Sequence, residues 1–136
     1  MPATERSLEL ARTAAAAADD KLATTIAGID VSDQLALTDV FVIASGSSDR
    51  QVAAIVDEVE DKLREKGAKP IRREGERDGR WVLLDFGDIV VHVQHDEERE
   101  FYELERLWKD CPDVDLGVPR RRDADETGEG RLRRNA

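Results

Sequence analysis

Val40-Phe41-Val42-Ile43-Ala44 runs straight into Ser45-Gly46-Ser47-Ser48-Asp49-Arg50-Gln51, and this stretch decides the fold. The first five residues are an unbroken apolar, β-branched and aromatic run. Such a run suits a central strand covered on both faces rather than a strand with one wet side. Gly46-Ser47-Ser48 then breaks it. Ser48 followed three residues later by Gln51 is a capping-box pattern, in which side chains satisfy the free N–H groups of a helix start. Val52, Ile55, Val56, Val59 and Leu63 continue at helical spacing to Gly67, which is placed to end the helix. A buried strand feeding directly into an amphipathic helix is the core unit of an α/β layer structure.

Working outward, residues 4–28 read as a helix, with Thr4 as N-cap and Leu8, Ala11, Ala15, Leu22 and Ile26 roughly on one face. A short strand, Gly28 to Val31, follows. Ser32 to Asp39 then either extends a neighbouring element or turns. Beyond Pro70, Ile71 to Glu74 reads as an edge strand and Gly75 to Arg80 as a hairpin loop. Strands Trp81–Phe86 and Ile89–Gln94 are separated only by Gly87-Asp88, a tight-turn signal. A last helix spans Asp96 to Lys109, with acids at its positive end and Phe101, Leu104, Leu107 and Trp108 at helical spacing. The order α-β-β-α-β-β-β-α implies an α/β fold of α+β character, a mixed sheet packed with helices. Residues 1–109 form the domain in this reading. Residues 110–136 lack periodicity and are expected to be a disordered, charged tail.

The totals restrict function. With 136 residues and 40% hydrophobic content there is material for one modest core. Residues 1–109 hold 24 acids against 15 bases, and the whole chain has a formal charge of −10. An acidic body is a poor binder of naked nucleic acid, which needs a dense basic face. It is better matched to a basic protein surface, toward which opposite charge also steers encounter. A single cysteine, Cys111, forbids an intrachain disulfide and sits among acids that disfavour its thiolate. No apolar run approaches the roughly 20 residues of a membrane span, and no signal-peptide pattern opens the chain. A cytoplasmic location without membrane contact is expected.

Candidate chemistry is sparse. His92 and His95 lie three apart on one strand, where alternation points them to opposite faces, so no shared metal site is expected. Asp85 and Asp88 flank Phe86-Gly87; a carboxylate pair can take Mg²⁺, but Asp at a hairpin is also a turn former, and the turn reading is preferred. Gly46-Ser47 followed by Asp57-Glu58 resembles a nucleotidyltransferase active site. Those two acids are adjacent on a helix, however, and point about 100° apart, whereas two metal ligands must converge. No catalytic residue, cofactor or metal is therefore assigned, and a nucleotidyltransferase-like nucleotide-binding enzyme is retained only as the alternative.

Several phrases, in order and compatible in spacing, carry a resemblance. They are Leu37-Thr38-Asp39-Val40-Phe41-Val42-Ile43-Ala44-Ser45-Gly46 with Arg50-Gln51-Val52 and Ile55; Glu74-Gly75; Trp81-Val82-Leu83-Leu84-Asp85-Phe86-Gly87-Asp88; Val90-Val91-His92-Val93; and Arg99-Glu100-Phe101-Tyr102 with Leu104-Glu105 and Leu107-Trp108. Together, over about residues 5–110, they resemble the ribosomal silencing factor family, also called RsfS or Iojap. Val40 and Phe86 depart from the aromatic and the tyrosine usual there, but both keep apolar bulk. The resemblance implies a nucleotidyltransferase-like core without catalytic acids. It also implies a partner, the fourteenth protein of the large ribosomal subunit, on the face that meets the small subunit. Binding there would block subunit joining and repress translation when nutrients are scarce, with a further part in large-subunit biogenesis. Because some members of that family are dimers when free, the resemblance also implies a homodimer of the free protein.

Steric occlusion needs an interface and no chemistry. Strand alternation puts Trp81, Leu83 and Asp85 on one face, opposite Val82, Leu84 and Phe86, which suit the helix-covered core. Trp81 and Leu83 are then partly exposed and become anchor candidates, although a tryptophan closing the edge of the core is an equal reading. Asp85, Asp88, Glu100 and Glu103 are expected to act as a cluster toward basic groups, and Tyr102, off the buried stripe, to face the partner. Asp39 is expected to have a structural hydrogen-bonding role.

Overall fold

The computed structural model describes residues 3–119. Its elements are α1 (Glu5–Asp20), β1 (Thr25–Asp30), β2 (Val40–Gly46), α2 (Asp49–Glu65), β3 (Arg72–Glu74), β4 (Trp81–Asp85), β5 (Ile89–His95), α3 (Asp96–Tyr102) and α4 (Leu104–Leu107). One five-stranded sheet has the order β1-β2-β5-β4-β3. β2 and β5 pair in parallel at its centre, and the other pairings are antiparallel. The expected mixed sheet packed with helices is what forms.

β2 is buried at every position and β5 at all but His95. Their alternating side chains fill two clusters. Val40, Val42 and Ala44 with Ile89, Val91 and Val93 face α1 and α2. Phe41, Ile43 and Val90 face the other way, with Ile29, Val31 and Leu104. On the first face α1 presents mainly alanine, and Ala11, Ala14, Ala15 and Ala18 are almost fully buried. Small side chains let that helix lie close while α2 contributes Val52, Ile55, Val59 and Leu63.

The start of α2 is tied down as the capping pattern suggests, with a difference. Ser48 Oγ accepts from the Gln51 backbone N–H at 3.1 Å. Gln51 Oε1, however, accepts from the N–H of Ser47 (2.7 Å), not from that of Ser48. Its Nε2 donates to the carbonyls of Lys21 and Leu22, at 3.1 and 2.8 Å. Gln51 therefore joins the helix start to the end of α1.

That junction corrects the first helix. It stops at Asp20, not at 28, because Leu22 takes a left-handed φ of 62°. Leu22 is 64% exposed, and Thr24-Thr25-Ile26-Ala27 lead into or lie within β1. Sequence spacing could not separate an alanine-rich helix from the β-branched run following it, since neither Gly nor Pro marks the break. The last helix is corrected too: it divides at Glu103, whose φ is 47°. Phe101 and Leu107, expected on its buried stripe, are 79% and 74% exposed, and only Leu104 of that set is buried.

Part of the segment after residue 109, expected to be tail, touches the domain. Asp30 N–H donates to the Pro112 carbonyl and Val114 N–H to that of Gly28, both backbone bonds alongside β1. Leu116, only 6% exposed, enters the first core cluster directly over Gly28. A Cβ on Gly28 would lie 2.8 Å from a Leu116 methyl, so glycine here makes room for the returning chain. Residues 120–136 of the expected tail lie outside the described residues. Leu116→Ala is expected to lower the unfolding free energy by about 2 kcal/mol in urea titration. An unchanged midpoint would mean that this contact adds nothing to the stability of the fold.

Candidate functional site

The side of the sheet away from α1 and α2 is incompletely covered, and it holds most of the residues singled out from sequence. β4 alternates as expected: Val82 and Leu84 are buried, and Trp81, Leu83 and Asp85 are half-buried on the opposite face. Trp81 and Leu83 pack against the second apolar cluster, as do Leu35, Trp108 and Cys111. Trp81 is thus both an edge of that core and partly open to solvent.

The position of Trp81 is set by the backbone. Gly75 turns back over it with φ +85°, and a Cβ there would come within 1.9 Å of the Trp81 carbonyl oxygen. Only glycine permits this approach. From the other side, Arg80 reaches Glu97 (2.7 Å) and Glu98 (2.9 Å) at the start of α3. The Arg80 guanidinium holds the Glu97 carboxyl below the usual carboxylate range. His95 caps α3 by accepting the Glu97 N–H on Nδ1.

Rings then line up along this face. Trp108 meets Phe41 edge-on at 5.1 Å, Phe41 meets His92 at 4.9 Å, and His92 and Trp81 are 6.1 Å apart. Trp81 lies 4.9 Å from Tyr102, which meets Phe101 at 5.0 Å. Five of the six Phe, Trp and Tyr residues of the chain belong to this row, the sixth being Phe86. It rises from the buried core to Tyr102, 46% exposed, and to Phe101. Tyr102 was expected to face outward. Phe101 was not, because the broken helix that turns it out has no signature in composition.

The acidic residues divide. Asp85 Oδ1 accepts the Gly87 N–H at 2.8 Å, the turn-forming role preferred from sequence, while Oδ2 lies 3.7 Å from Arg72. Asp88 is exposed on the same hairpin, and its carbonyl accepts the Asp39 N–H. Glu100 and Glu103 instead line an open cleft of ≈540 Å³ with Thr25, Ser45, Asp96 and Arg99. β5, seven residues long, separates the two pairs, a span of roughly 20 Å. The structure therefore does not gather the four acids into one cluster. Asp39 has the structural role expected: its Oδ2 accepts from the Thr4 N–H (3.1 Å) and Ser7 Oγ (2.8 Å), fixing the start of α1.

Among the described residues no group of three His, Cys, Asp or Glu side chains is placed to hold a metal ion, and no helix is long and apolar enough to cross a membrane. Asp57 is exposed on α2, and Glu58 is 4.0 Å from Lys62 on the next turn.

His92, 6% exposed, is the centre of the aromatic row, and burial pushes its imidazole down to about 4 from an ordinary 6.5. The unfolded chain binds the extra proton between those values. Stability is therefore complete above about pH 6.5 and falls as the pH drops toward 4. This one group is expected to remove up to about 3 kcal/mol across that window. Urea unfolding at pH 7 and pH 4.5 should show the loss, and His92→Leu should reduce it. An equal loss in the variant would assign the effect to the carboxylates.

The comparisons with known proteins agree with this architecture. The family model described as "Ribosomal silencing factor during starvation" matches residues 4–135. The ribosomal silencing factor RsfS of Bacillus subtilis is 47% identical over 107 residues, 77% of this chain and 91% of that protein. A mouse protein named for mitochondrial assembly of the ribosomal large subunit is 37% identical over 59% of this chain, which spans 36% of its length. A crystal structure of a Chromobacterium violaceum protein superposes with a TM-score of 0.72 at 35% identity, covering 82% of this chain and 92% of that one. With its fold, its sequence blocks and these matches in agreement, the chain belongs to the ribosomal silencing factor family.

Proposed function

We propose that this protein binds the large ribosomal subunit in the cytoplasm and sterically blocks its association with the small subunit, repressing translation. The binding partner in this reading is the fourteenth large-subunit protein, at the subunit interface. The observation that carries it is the half-open sheet face, where an aromatic row runs from the buried Phe41 to the exposed Phe101. Aromatic side chains offer large contact area with little entropy to lose, and they dominate protein interfaces. Trp81, Leu83 and Tyr102 are its anchors. The family and the relatives' names supply the ribosomal setting, and the mouse relative's name supports a part in large-subunit assembly.

The charge pattern refines the proposal. With Asp85 and Asp88 at one end of the face and Glu100 and Glu103 at the other, a basic partner reading the whole face meets acid at both rims. Rim charges mainly set association rate and salt dependence, while central aromatics set lifetime. The mode of action is occupancy, with no bond made or broken.

Purified protein is expected to co-sediment with free large subunits and to slow subunit joining measured by light scattering. Trp81→Ala should weaken binding by about tenfold or more, mostly through faster dissociation. The pairs Asp85→Asn with Asp88→Asn, and Glu100→Gln with Glu103→Gln, should each slow association and flatten its salt dependence, with little change in dissociation. Joining at full speed with saturating protein would overturn the proposal. Thermal stabilisation by ATP with Mg²⁺, lost on changing Asp85 and Asp88 to Asn, would instead favour a nucleotide-binding protein.

A further inference from the structure

We propose that His92 is the positioning residue of this surface: its Nδ1 accepts the Trp81 indole N–H and fixes the ring in the orientation a partner meets. The proposal rests on the reading of Trp81 as a contact residue.

The hydrogen bond is 3.2 Å long, from Trp81 Nε1 to His92 Nδ1. An indole nitrogen can only donate, so Nδ1 must be the bare nitrogen of a neutral ring, with the proton on Nε2. That Nε2 is buried and has no partner among the described residues. A buried N–H left without an acceptor is costly, and an apolar side chain of similar size would avoid the cost. What histidine offers at this place, and leucine does not, is an acceptor aimed at Trp81. The geometry behind it is firm. His92 stands opposite Leu83 in the β4–β5 register, and Phe41 of β2 meets it edge-on at 4.9 Å. His92 is therefore held from the sheet side and cannot follow the indole if the indole moves.

On its outer side Trp81 has weaker restraints. It begins β4 directly after the Gly79-Arg80 end of the loop, is half-buried, and touches Tyr102 across a tilted ring contact. Tyr102 ends α3, a helix with no buried residue that is followed by the left-handed Glu103. An anchor fixed before binding loses less freedom on binding, which appears as affinity. Sequence alternation correctly separated His92 from His95 but gave His92 no partner, since its contact is a cross-strand one that depends on register.

The test uses the full chain and reads the indole and the ribosome separately. Two tryptophans give two indole N–H signals in ¹H–¹⁵N spectra, and Trp108→Phe assigns that of Trp81. In the unaltered protein the Trp81 signal is expected downfield and slow to exchange with solvent. His92→Leu, with the rest of the spectrum still dispersed, should shift it upfield, speed its exchange, and weaken large-subunit binding about threefold to tenfold. Where Leu prevents folding, Val provides the same acceptor-free arm. His92→Asn places Oδ1 on Cγ, where Nδ1 sits, and should restore the signal and bring binding back to within about twofold. An indole signal and affinity unchanged in His92→Leu, or an Asn variant as weak as the Leu variant, would overturn the role. Loss of binding in Trp81→Ala beside full binding in His92→Leu rejects the positioning role alone. Full binding in Trp81→Ala rejects the surface itself.

Discussion

A strand buried on both faces needs two covers, and this chain has two such strands side by side. The parallel pair β2 and β5 makes that demand, and the remaining elements are arranged around it. One cover is generous: α1 and α2 lay a small-residue helix and a branched-aliphatic helix over the sheet. The other is thin, assembled from Leu104 of α4, Trp108 and Cys111 just after it, and Leu35 of the β1–β2 connection. The half-covered face is therefore where apolar area remains, and a protein that works by contact can use it without dismantling its core.

The thick cover was legible in the sequence because its signals are local. Ser48 and Gln51 announce a helix start by their spacing, Gly87 marks the β4–β5 turn, and the apolar run 40–44 can only be a covered strand. Other parts of the fold were less legible because they depend on exceptions. Leu22 and Glu103 take left-handed conformations that a side chain does not advertise, and each cuts short a helix that periodicity would continue. Leu116 lies in a stretch of acids, prolines and glycines that reads as tail, and only the small Gly28 beneath it explains the docking.

The candidate site shows the same division. Alternation along β4 was enough to sort Trp81 and Leu83 from Val82 and Leu84. Which acids stand near one another was not available, since it depends on how far β5 carries the chain between them. The ring row was hidden for a related reason: its members come from β2, β4, β5 and the last two helical turns, and they meet only through sheet register.

The returning segment at Pro112 and Val114 has another effect. β1 is the outer strand on its side, and a bare outer strand offers unpaired amide and carbonyl groups to any extended peptide. Here the backbone bonds from Asp30 and to Gly28 occupy part of that row. At the far border, β3 is three residues long, fully exposed, and made of Arg72, Arg73 and Glu74, a short and highly charged rim that discourages strand addition. Both margins of the sheet are thereby blunted against fibril-like stacking, and lateral growth by strand exchange is disfavoured.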